Sequence, residues 1–370
     1  MEYCLKDTKC PVCNGKIIVV PYKDGKTTVV SHGTCVECLK DMILPNEQFD
    51  IFVREHCEKY KFYEHKKVLE CSSAGDSRFS ALYAKVEVNG IKDTIENHYQ
   101  KSKVFLENNK FIQYNDFKKA KGKKPIAFNI GGFILPLRFG AMFYHMLWYK
   151  YLKVNKSLQD VLSNYDDYSD KFKGKSFVCQ ATSIRLFMND INGNKLAEKD
   201  RGNYLYSLCK ELNDFLLGKN RVIIEEGDIF EGIAEIIGHQ VNCQNVMGSG
   251  IALQVRRKYT KAYDEYMKFS VSKSESLLGN CQIVDCGDKI IANLFGQFNY
   301  GTNKNIVYTK SEALKKALIT LKNYAKDNKK IVALPYNIGC DRGNGDWSEI
   351  LKIIEDIFKD YYVILYKYKK

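Results

Sequence analysis

Short apolar runs alternate with segments of helical periodicity in the last part of the chain, after Lys219. The apolar runs predict strands over residues 221–224, 235–243, 279–284, 289–295, 330–334 and 361–366. The periodic segments predict helices over residues 250–269, 311–328 and 347–359. Strands that alternate with helices predict a mostly parallel sheet covered on both faces, so the fold class of this segment is α/β. In such sheets, ligands bind beyond the carboxyl ends of the strands.

Near the start of the chain, residues 16–30 alternate between apolar and polar side chains and predict two strands, joined by an Asp-Gly pair that favours a hairpin turn. Two C-x2-C pairs flank this hairpin, Cys10 with Cys13 and Cys35 with Cys38. Four thiolates at the ends of a hairpin give Zn2+ a closed tetrahedral shell, in which the metal folds the module and does no chemistry. The pattern therefore predicts a small zinc ribbon with structural Zn2+.

The middle of the chain, from residue 50 to residue 218, mixes helical and strand-like patterns and has no long linker. The run at residues 134–152 predicts a largely buried aromatic helix. The basic run at residues 118–125 predicts an exposed connection.

A predicted helix over residues 94–105 would place Glu96, Gln100 and Lys103 on one polar stripe. A carboxylate, an amide and an ammonium group on one face can act as an acid–base pair with a positioning group. The same spacing also fits a solvated face, with Asp93 as N-cap and Glu96 as its partner. The spacing alone leaves both interpretations open.

The chain has 370 residues, of which 45% are hydrophobic and 27% charged, as is typical of packed globular domains. We place three domains at residues 1–48, 49–219 and 220–370. No run approaches the ~20 apolar residues of a membrane span, and the first residues lack the apolar core of a secretory signal. The expected location is therefore the cytoplasm, without membrane contact. The cysteine count, 13, is odd and argues against a disulfide framework.

The formal net charge is +13. A basic surface favours phosphate-bearing partners, because lysine and arginine side chains near a polyanion release its counterions. The alternative is a set of solvated basic faces without such a partner.

Two glycine-bearing loops follow predicted strands in the last segment, at residues 242–252 and 336–347, and each runs into a helix. Glycine lets backbone N–H groups approach an anion closely, and a helix N-terminus adds a partial positive charge. Two such loops can face one diphosphate. Asp228, after the first strand, is placed to accept an exocyclic amine.

Three motifs in this segment, GDIF at 227–230, HQVNCQNVMGSGIALQVRRKY at 239–259 and PYNIGCDRGNGDW at 335–347, resemble the macrodomain family, which binds ADP-ribose. The resemblance implies a three-layer α/β/α fold. It also implies that Asp228 holds the adenine amine, that Ile229 contacts its ring and that Asn242 lies by the distal ribose. The residues implied to hold the diphosphate are Gly248, Ser249, Gly250 and Ile251 in the first loop and Ile338, Gly339, Cys340, Asp341, Arg342 and Gly343 in the second.

The branch of this family that removes ADP-ribose or its phosphate ester is the most similar. Members that cleave ester-linked ADP-ribose use a lysine on the central strand and an aspartate in the second loop. This chain has no lysine at residues 293–297, and Gly343 stands at the aspartate position. His239, Asp341 and Asp346 are the remaining acid–base candidates. Asp346 also has the position of a helix N-cap, and His239 can be a polar residue near a strand end.

In the middle segment, Phe79-Ser80, a strand through residues 86–88 and TIENHYQKSK at 94–103 resemble the NADAR family, with its T-x-E-x-x-x-Q-x-x-K helix. Some members cleave ADP-ribose from guanine bases in nucleic acid. The resemblance implies an α+β domain with Glu96 as the catalytic carboxylate. The residues implied to line this second pocket are Arg78, Phe79, Tyr99, Gln100 and Lys103.

Together, these features predict an ADP-ribosyl hydrolase that removes ADP-ribose from nucleic-acid bases by cleaving an N-glycosidic bond. The expected partners are ADP-ribose and ADP-ribosylated nucleic acid, with a basic surface that holds the polymer. Two alternatives stay open: a non-catalytic reader or sensor of ADP-ribose, and a hydrolase of ADP-ribose 1″-phosphate. The sequence indicates no oligomeric state.

Overall fold

The structure is a computed structural model, and it describes residues 18–21, 27–31, 42–45, 68–170, 178–191 and 201–368. The described part is mixed α/β and divides into two compact units. The first unit takes the described residues of Met1–Ser102 and Gly140–Cys209, and the second takes those of Lys103–Phe139 and Lys210–Lys370. The domain boundaries that we place after residues 48 and 219 stay predictions.

The strands in chain order are β1 Ile18–Pro21, β2 Thr27–Ser31, β3 Met42–Pro45, β4 Val68–Glu70, β5 Lys85–Val88, β6 Ile91–Thr94, β7 Lys103–Glu107, β8 Lys110–Ile112, β9 Ala127–Ile130, β10 Phe133–Pro136, β11 Asp167–Ser169, β12 Val222–Glu226, β13 Ile236–Asn242, β14 Cys281–Asp285, β15 Ile290–Gln297, β16 Val332–Pro335 and β17 Val363–Lys367. The helices are α1 Ile95–Ser102, α2 Phe139–Val154, α3 Lys156–Leu162, α4 Gln180–Ile191, α5 Arg201–Leu216, α6 Gly250–Lys258, α7 Thr260–Phe269, α8 Ser311–Asp327 and α9 Trp347–Phe358. Among the described residues, no helix combines the length and the apolar character that crossing a membrane requires.

A hairpin near the start of the chain contains the two strands that the alternating pattern predicts. β1 pairs antiparallel with β2, with Ile18 opposite Ser31, and β3 adds a third strand beside β2. The cysteines of the predicted zinc ribbon, Cys10, Cys13, Cys35 and Cys38, lie outside the described residues. Within the described residues, no group of three or more His, Cys, Asp or Glu side chains is placed to hold a metal ion. The zinc ribbon stays a prediction.

The helix predicted over residues 94–105 is shorter in the structure, because α1 ends at Ser102. Lys103 is the first residue of β7 and pairs with Phe128 of β9. The residues after Lys103 carry β-branched and aromatic side chains, which favour a strand where a partner is available. Lys103 therefore does not extend the polar stripe of the helix.

The aromatic helix predicted over residues 134–152 begins later than expected. β10 ends at Pro136, and α2 begins at Phe139. Proline disfavours helical backbone in the residue before it, so the start of this segment stays extended. From Phe139 onwards the prediction is confirmed, and Phe139 and Trp148 have no exposed surface (0% each).

The six strands predicted after residue 219 are all present and form one sheet in the order β12-β17-β16-β13-β15-β14. Neighbours pair parallel, except that β14 runs antiparallel to β15. One core cluster packs α8 and α9 against the face that carries Ile236 of β13. A second cluster packs Tyr266 of α7 against the face that carries Val241. Because successive side chains of a strand point to opposite faces, helices cover both faces of this sheet, as predicted.

The second unit also contains an antiparallel sheet of four strands, in the order β10-β9-β7-β8. Arg138, which follows β10, connects this sheet to the six-stranded one. Its Nη1 and Nη2 atoms each donate to a carboxylate oxygen of Glu211 on α5 at 2.6 Å, and its Nε donates to Glu225 on β12 at 2.7 Å. The side chain of Arg138 is 25% exposed, so these ion pairs are shielded from solvent in part.

Aromatic packing strengthens the same connection. The rings of Phe133, Phe215 and Tyr362 meet edge to face, with centroids 5.2 to 5.8 Å apart. The guanidinium of Arg221 lies 4.6 Å from the centroid of Phe133 and 4.8 Å from that of Phe215. Cation–π and edge-to-face contacts of this kind add to the free energy gained by apolar burial.

We expect Arg138→Met to lower the free energy of unfolding by about 2 kcal/mol, because it leaves the carboxylates of Glu211 and Glu225 without their shared cation. Denaturant unfolding followed by fluorescence and circular dichroism measures this loss. A triple variant that adds Glu211→Gln and Glu225→Gln should regain most of it. If the single variant has the wild-type free energy of unfolding, these ion pairs do not stabilise the contact between the two sheets.

Candidate functional site

The two glycine-bearing loops lie at one edge of the six-stranded sheet. β13 and β16 are parallel neighbours, with Ile236 opposite Val332. The loop over residues 243–249 follows β13, and the loop over residues 336–346 follows β16. Because both strands end at the same edge, the topology brings together two loops that are far apart in sequence.

Gln240, near the end of β13, ties the second loop to the sheet. Its Nε2 donates to Oε1 of Gln297 at 2.6 Å and to Oγ1 of Thr309 at 2.8 Å. The Thr309 hydroxyl donates to the carbonyl of Gly339 at 2.7 Å, and the Thr309 amide donates to the carbonyl of Gly343 at 3.0 Å. The second loop is therefore held by one amide side chain and one hydroxyl.

A side chain at any of three glycine positions would crowd the amide of Gln240 or the loop beside it. A Cβ atom at Gly296 would lie 2.6 Å from Oε1 of Gln240, and one at Gly339 would lie 2.7 Å from it. A Cβ atom at Gly343 would overlap Oγ1 of Thr309 and lie 2.5 Å from the carbonyl of Gly339. Gly339 also has a φ of +77°, which residues with a side chain rarely adopt. The packing explains why Gly343, at the position of the expected aspartate, carries no side chain.

Asn242, the last residue of β13, shapes the first loop. Its Oδ1 accepts from the amides of Gln244 at 2.9 Å and Val246 at 3.3 Å, and its Nδ2 donates to the carbonyl of Val246 at 2.6 Å. The hydroxyl of Tyr266 donates to the Asn242 carbonyl at 2.8 Å, and burial raises the pKa of that hydroxyl. The amide of Asn242 is thus occupied within the loop, and its role beside a ribose stays a prediction.

The first loop ends at the N-terminus of α6. Gly248, Ser249 and Gly250 are exposed, and Ser249 is the N-cap residue but makes no capping hydrogen bond through its side chain. Its side chain therefore leaves the first N–H groups of the helix available to an anion. Ile251, in the first turn, is half-buried.

In the second loop, the predicted contact residues differ in exposure. Ile338 is 3% exposed and packs into the core beneath the loop. Cys340 is half-buried, and burial raises the pKa of its thiol to about 11. Asp341 and Arg342 are exposed. Only the exposed side chains and the loop backbone can contact a ligand from solvent.

Asp228 lies beyond the carboxyl end of β12, at the same sheet edge as the loops. Its Oδ1 accepts from the amide of Phe230 at 2.9 Å, and its Oδ2 lies 3.8 Å from Nζ of Lys258 at the end of α6. That ammonium also lies 4.6 Å from the centroid of the Phe230 ring. Ile229 is buried, at 7% exposed. An incoming amine would share the Asp228 carboxylate with Lys258.

His239 has no exposed surface (0%) and faces α7 from β13. Its Nε2 lies 2.7 Å from Oδ1 of Asn293, whose Nδ2 donates to Gln282 at 2.9 Å. Burial lowers the pKa of the imidazole to about 4, although the hydrogen bond to Asn293 acts in the opposite direction. The ring is therefore neutral near pH 7 and joins the adjacent strands β13, β15 and β14 through side-chain hydrogen bonds.

Asp346 is the N-cap of α9. Its Oδ1 accepts from the amide of Ser348 at 2.7 Å and from the amide of Glu349 at 3.4 Å. The Ser348 hydroxyl donates to the same oxygen at 2.6 Å, and these bonds hold the pKa of the carboxyl below its usual value. The capping alternative for Asp346 is confirmed.

In the first unit, Glu96 and Gln100 lie on one face of α1. Nε2 of Gln100 donates to Oε1 of Glu96 at 2.7 Å, and both residues are half-buried. Thr94, not Asp93, caps the helix, because its Oγ1 accepts from the amide of Asn97 at 3.1 Å. The carboxylate of Glu96 is thus held by Gln100 rather than by a capping bond.

Two tyrosines lie within reach of the Glu96 charge. Burial and that charge raise the pKa of Tyr99 to about 12, and burial together with the charges of Glu96 and Asp170 raises the pKa of Tyr144. The two rings meet edge to face, with centroids 5.1 Å apart. Both hydroxyls are therefore protonated at neutral pH.

The turn before β5 holds the remaining predicted residues of this pocket. Phe79 is completely buried (0% exposed). Arg78 is exposed, and its Nη2 donates to Asp76 at 2.6 Å. The backbone of the same turn meets the start of the helix, where the amide of Glu96 donates to the carbonyl of Ala81 at 2.9 Å. Lys103 belongs to the second unit.

Sequence reasoning did not find several residues that shape these sites, namely Tyr144, whose ring packs on Tyr99 of α1, and Gln240, Gln297 and Thr309 beneath the second loop. They lie in different elements, and no spacing rule relates residues of separate elements. The positions of glycine were the only available signal, because Gly296, Gly339 and Gly343 surround Gln240.

Parts of the chain are similar to known proteins. Residues 53–213 match the family model NADAR-DarT1, a DarT1-associated NADAR antitoxin. The chain is 28% identical over 138 residues to proteins named DNA ADP-ribosyl glycohydrolase from Mycobacterium tuberculosis and Mycobacterium bovis. This match covers 36% of the chain and 37% of those relatives, so the chain spans little more than a third of their length.

Two solved structures were also matched. The macrodomain of Mycobacterium tuberculosis DarG is 25% identical, with a TM-score of 0.35, over 41% of this chain and 99% of that one. A protein of unknown function from Bacteroides thetaiotaomicron is 25% identical, with a TM-score of 0.36, over 39% of this chain and 96% of that one.

The buried His239 predicts a loss of stability in acid. Its pKa is about 4 in the folded protein and about 6.5 in the unfolded chain, so the unfolded state binds the proton first as the pH falls. Between pH 7 and pH 5, wild type should lose about 2 kcal/mol more unfolding free energy than His239→Gln. Urea unfolding at the two pH values measures this difference. Parallel losses in both proteins would show that His239 is not responsible.

Proposed function

We propose that this chain removes ADP-ribose from ADP-ribosylated DNA by hydrolysing an N-glycosidic bond, with Glu96 as the catalytic carboxylate. The observation that carries the proposal is the half-buried pair of Glu96 and Gln100 within the segment that matches the NADAR-DarT1 model. The identity to relatives named DNA ADP-ribosyl glycohydrolase supports the choice of substrate.

In the proposed step, the bond between C1″ of the distal ribose and a nitrogen of the base breaks while a water oxygen bonds to C1″. Glu96 orients that water and takes its proton, and the departing nitrogen takes up a proton from solvent. The positive charge that develops at C1″ is stabilised by the carboxylate and by the phosphates of the substrate itself. The products are free ADP-ribose and the unmodified base.

The neighbours of Glu96 fit this role. Gln100 donates to one carboxylate oxygen, so it orients the carboxylate and leaves the second oxygen for water. Tyr99, on the same helix as Glu96, is 6% exposed, and the Tyr144 ring that packs against it is 5% exposed. With their pKa values raised, the two hydroxyls stay neutral and do not add a competing negative charge.

A second function, non-catalytic binding of ADP-ribose, is favoured for the two glycine-bearing loops. Two of the three acid–base candidates there have structural roles, since His239 is enclosed in the sheet and Asp346 caps α9, while the third, Asp341, is exposed. The lysine nearest to the start of β15, Lys289, donates to the carbonyls of Gly232 at 2.8 Å and Ala234 at 2.7 Å. The loops retain exposed backbone and a free helix N-terminus, which suit a diphosphate.

We expect Glu96→Gln to lower the rate of ADP-ribose release at least about 100-fold, because it removes the base that takes the proton from water. Mass spectrometry of released ADP-ribose, with an ADP-ribosylated oligonucleotide as substrate, measures this rate. Glu87→Gln, a change of the same type at an exposed position on β5, is the matched control and should be as active as wild type. Unchanged release by Glu96→Gln would assign the chemistry elsewhere in the chain.

The same assay separates the alternatives when ADP-ribose 1″-phosphate and ADP-ribosylated protein are added as substrates. Release from DNA alone supports the proposal. Release of inorganic phosphate would identify a hydrolase of ADP-ribose 1″-phosphate. If no substrate gives a product, the remaining function is non-catalytic binding of ADP-ribose.

Gly248→Ala tests the loops without disturbing the fold. A Cβ atom at Gly248 would meet no atom closer than Cγ1 of Val246 at 3.7 Å, so the thermal midpoint should stay at the wild-type value. If a diphosphate lies against this backbone, the added methyl group should weaken ADP-ribose binding at least about tenfold, since glycine there permits close approach. Calorimetry with ADP-ribose measures the affinity. Equal affinity in the two proteins would place the diphosphate away from the first loop.

A further inference from the structure

The connection between β8 and β9 in the second unit carries a dense group of positive charges. Five lysines fall within residues 118–124, and all five are exposed: Lys118, Lys119, Lys121, Lys123 and Lys124. We refer to Lys118, Lys119, Lys121 and Lys124 as the lysine cluster. Lys123 differs from them, because it alone is neutralised by a carboxylate.

Lys123 fastens the connection to the sheet. Glu107, the last residue of β7, accepts a hydrogen bond from Nζ of Lys123 and another from the hydroxyl of Tyr114. Nζ of Lys123 also donates to the Tyr114 hydroxyl oxygen at 2.6 Å and lies 4.7 Å from the centroid of that ring. The ring of Tyr114 packs edge to face on Phe105 of β7, with centroids 5.4 Å apart. These contacts attach the start of the connection, at Tyr114, and its end, at Lys123, to β7.

Between these ends the backbone is folded. Oδ1 of Asp116 accepts from the amide of Lys118 at 3.0 Å, which caps the short 3-10 turn. The amide of Lys121 donates to the carbonyl of Lys118 at 3.2 Å, and that of Lys123 donates to Ala120 at 3.0 Å. The lysine cluster is therefore presented by an ordered turn and not by an unstructured linker.

The charges of the cluster are not compensated within the part of the chain that the structure describes, where its four lysines form no ion pair. Holding four like charges on one short turn opposes folding through mutual repulsion. A bound polyanion would remove that repulsion, and its condensed counterions would be released. Lys123, which pairs with Glu107, stabilises the fold. The four lysines of the cluster are exposed and can contact a bound polyanion.

We propose that the lysine cluster binds the phosphate backbone of DNA and holds the polymer independently of the modified nucleotide. The choice of DNA as the polymer rests on the proposed function. The binding itself requires no hydrolysis, and lysine contacts of this type carry no base specificity. The cluster should therefore bind unmodified DNA of any sequence.

The test compares two quadruple variants of the full chain that lose the same charge. The first replaces Lys118, Lys119, Lys121 and Lys124 with glutamine. The matched control replaces four exposed lysines elsewhere in the second unit, Lys210, Lys316, Lys352 and Lys359, with glutamine. Fluorescence anisotropy with a labelled, unmodified single-stranded 20-mer gives the affinity across a series of salt concentrations.

We expect the cluster variant to bind the 20-mer more weakly and with a flatter salt dependence. Each lost phosphate contact lowers the slope of log K against log[salt] by about 0.7 for a single strand, so the loss of four contacts lowers it by about 3. The control variant should keep the wild-type slope. Equal slopes for the cluster variant and wild type, or equal losses in both variants, would overturn the proposal.

A second readout separates this proposal from the proposed function. With an ADP-ribosylated mononucleoside as substrate, the cluster variant should retain the wild-type rate, because no polymer is present to hold. If wild type releases no ADP-ribose from any substrate but the cluster variant still loses DNA binding, the catalytic proposal fails and the cluster proposal stands. If wild type releases ADP-ribose but the cluster changes do not affect DNA binding, the cluster proposal fails and the catalytic proposal stands.

Discussion

The parallel pairing of β13 with β16 is the constraint on which the two glycine-bearing loops of the second unit depend. It fixes both glycine-bearing loops at one edge of the sheet, and Gln240 of β13 then positions the second loop through Gln297 and Thr309. A Cβ atom at Gly296 or Gly339 would crowd that amide, and one at Gly343 would crowd Thr309 and the carbonyl of Gly339. The polar surface that remains for a ligand is mainly backbone N–H, which suits phosphate rather than acid–base chemistry.

The candidate acid–base side chains of the two units have different surroundings. In the second unit, two of the three acid–base candidates help to build the fold: His239 links adjacent strands through Asn293, and Asp346 caps a helix. In the first unit, by contrast, Glu96 is half-buried, and its carboxylate is oriented by Gln100 on the same helix. A half-buried carboxylate with an oriented partner suits proton transfer, and an exposed loop backbone suits binding.

The six-stranded sheet of the second unit follows from the sequence, because its strands are short apolar runs set among periodic helical segments. The sequence fails where a tertiary contact competes with a local pattern. Lys103 looks like a continuation of α1, yet pairing of β7 with β9 turns it into a strand residue. Side-chain networks were not predictable either, because Gln240 and Thr309 are distant in sequence and neither belongs to a motif. A buried histidine and a catalytic one look alike in a sequence, since only the fold decides whether solvent reaches the ring.

Arg138 links stretches of chain that the first unit separates in sequence, because residues 140–209 lie between the β9–β10 hairpin and the six-stranded sheet. A gene segment exchanged at residue 220 would therefore separate the two glycine-bearing loops from the guanidinium that pairs with Glu225 and from the Phe133 ring that packs on Tyr362. A chimera joined at residue 220 would lose these contacts even if every loop residue were preserved. The sheet that carries the loops is therefore matched to the segment before residue 140.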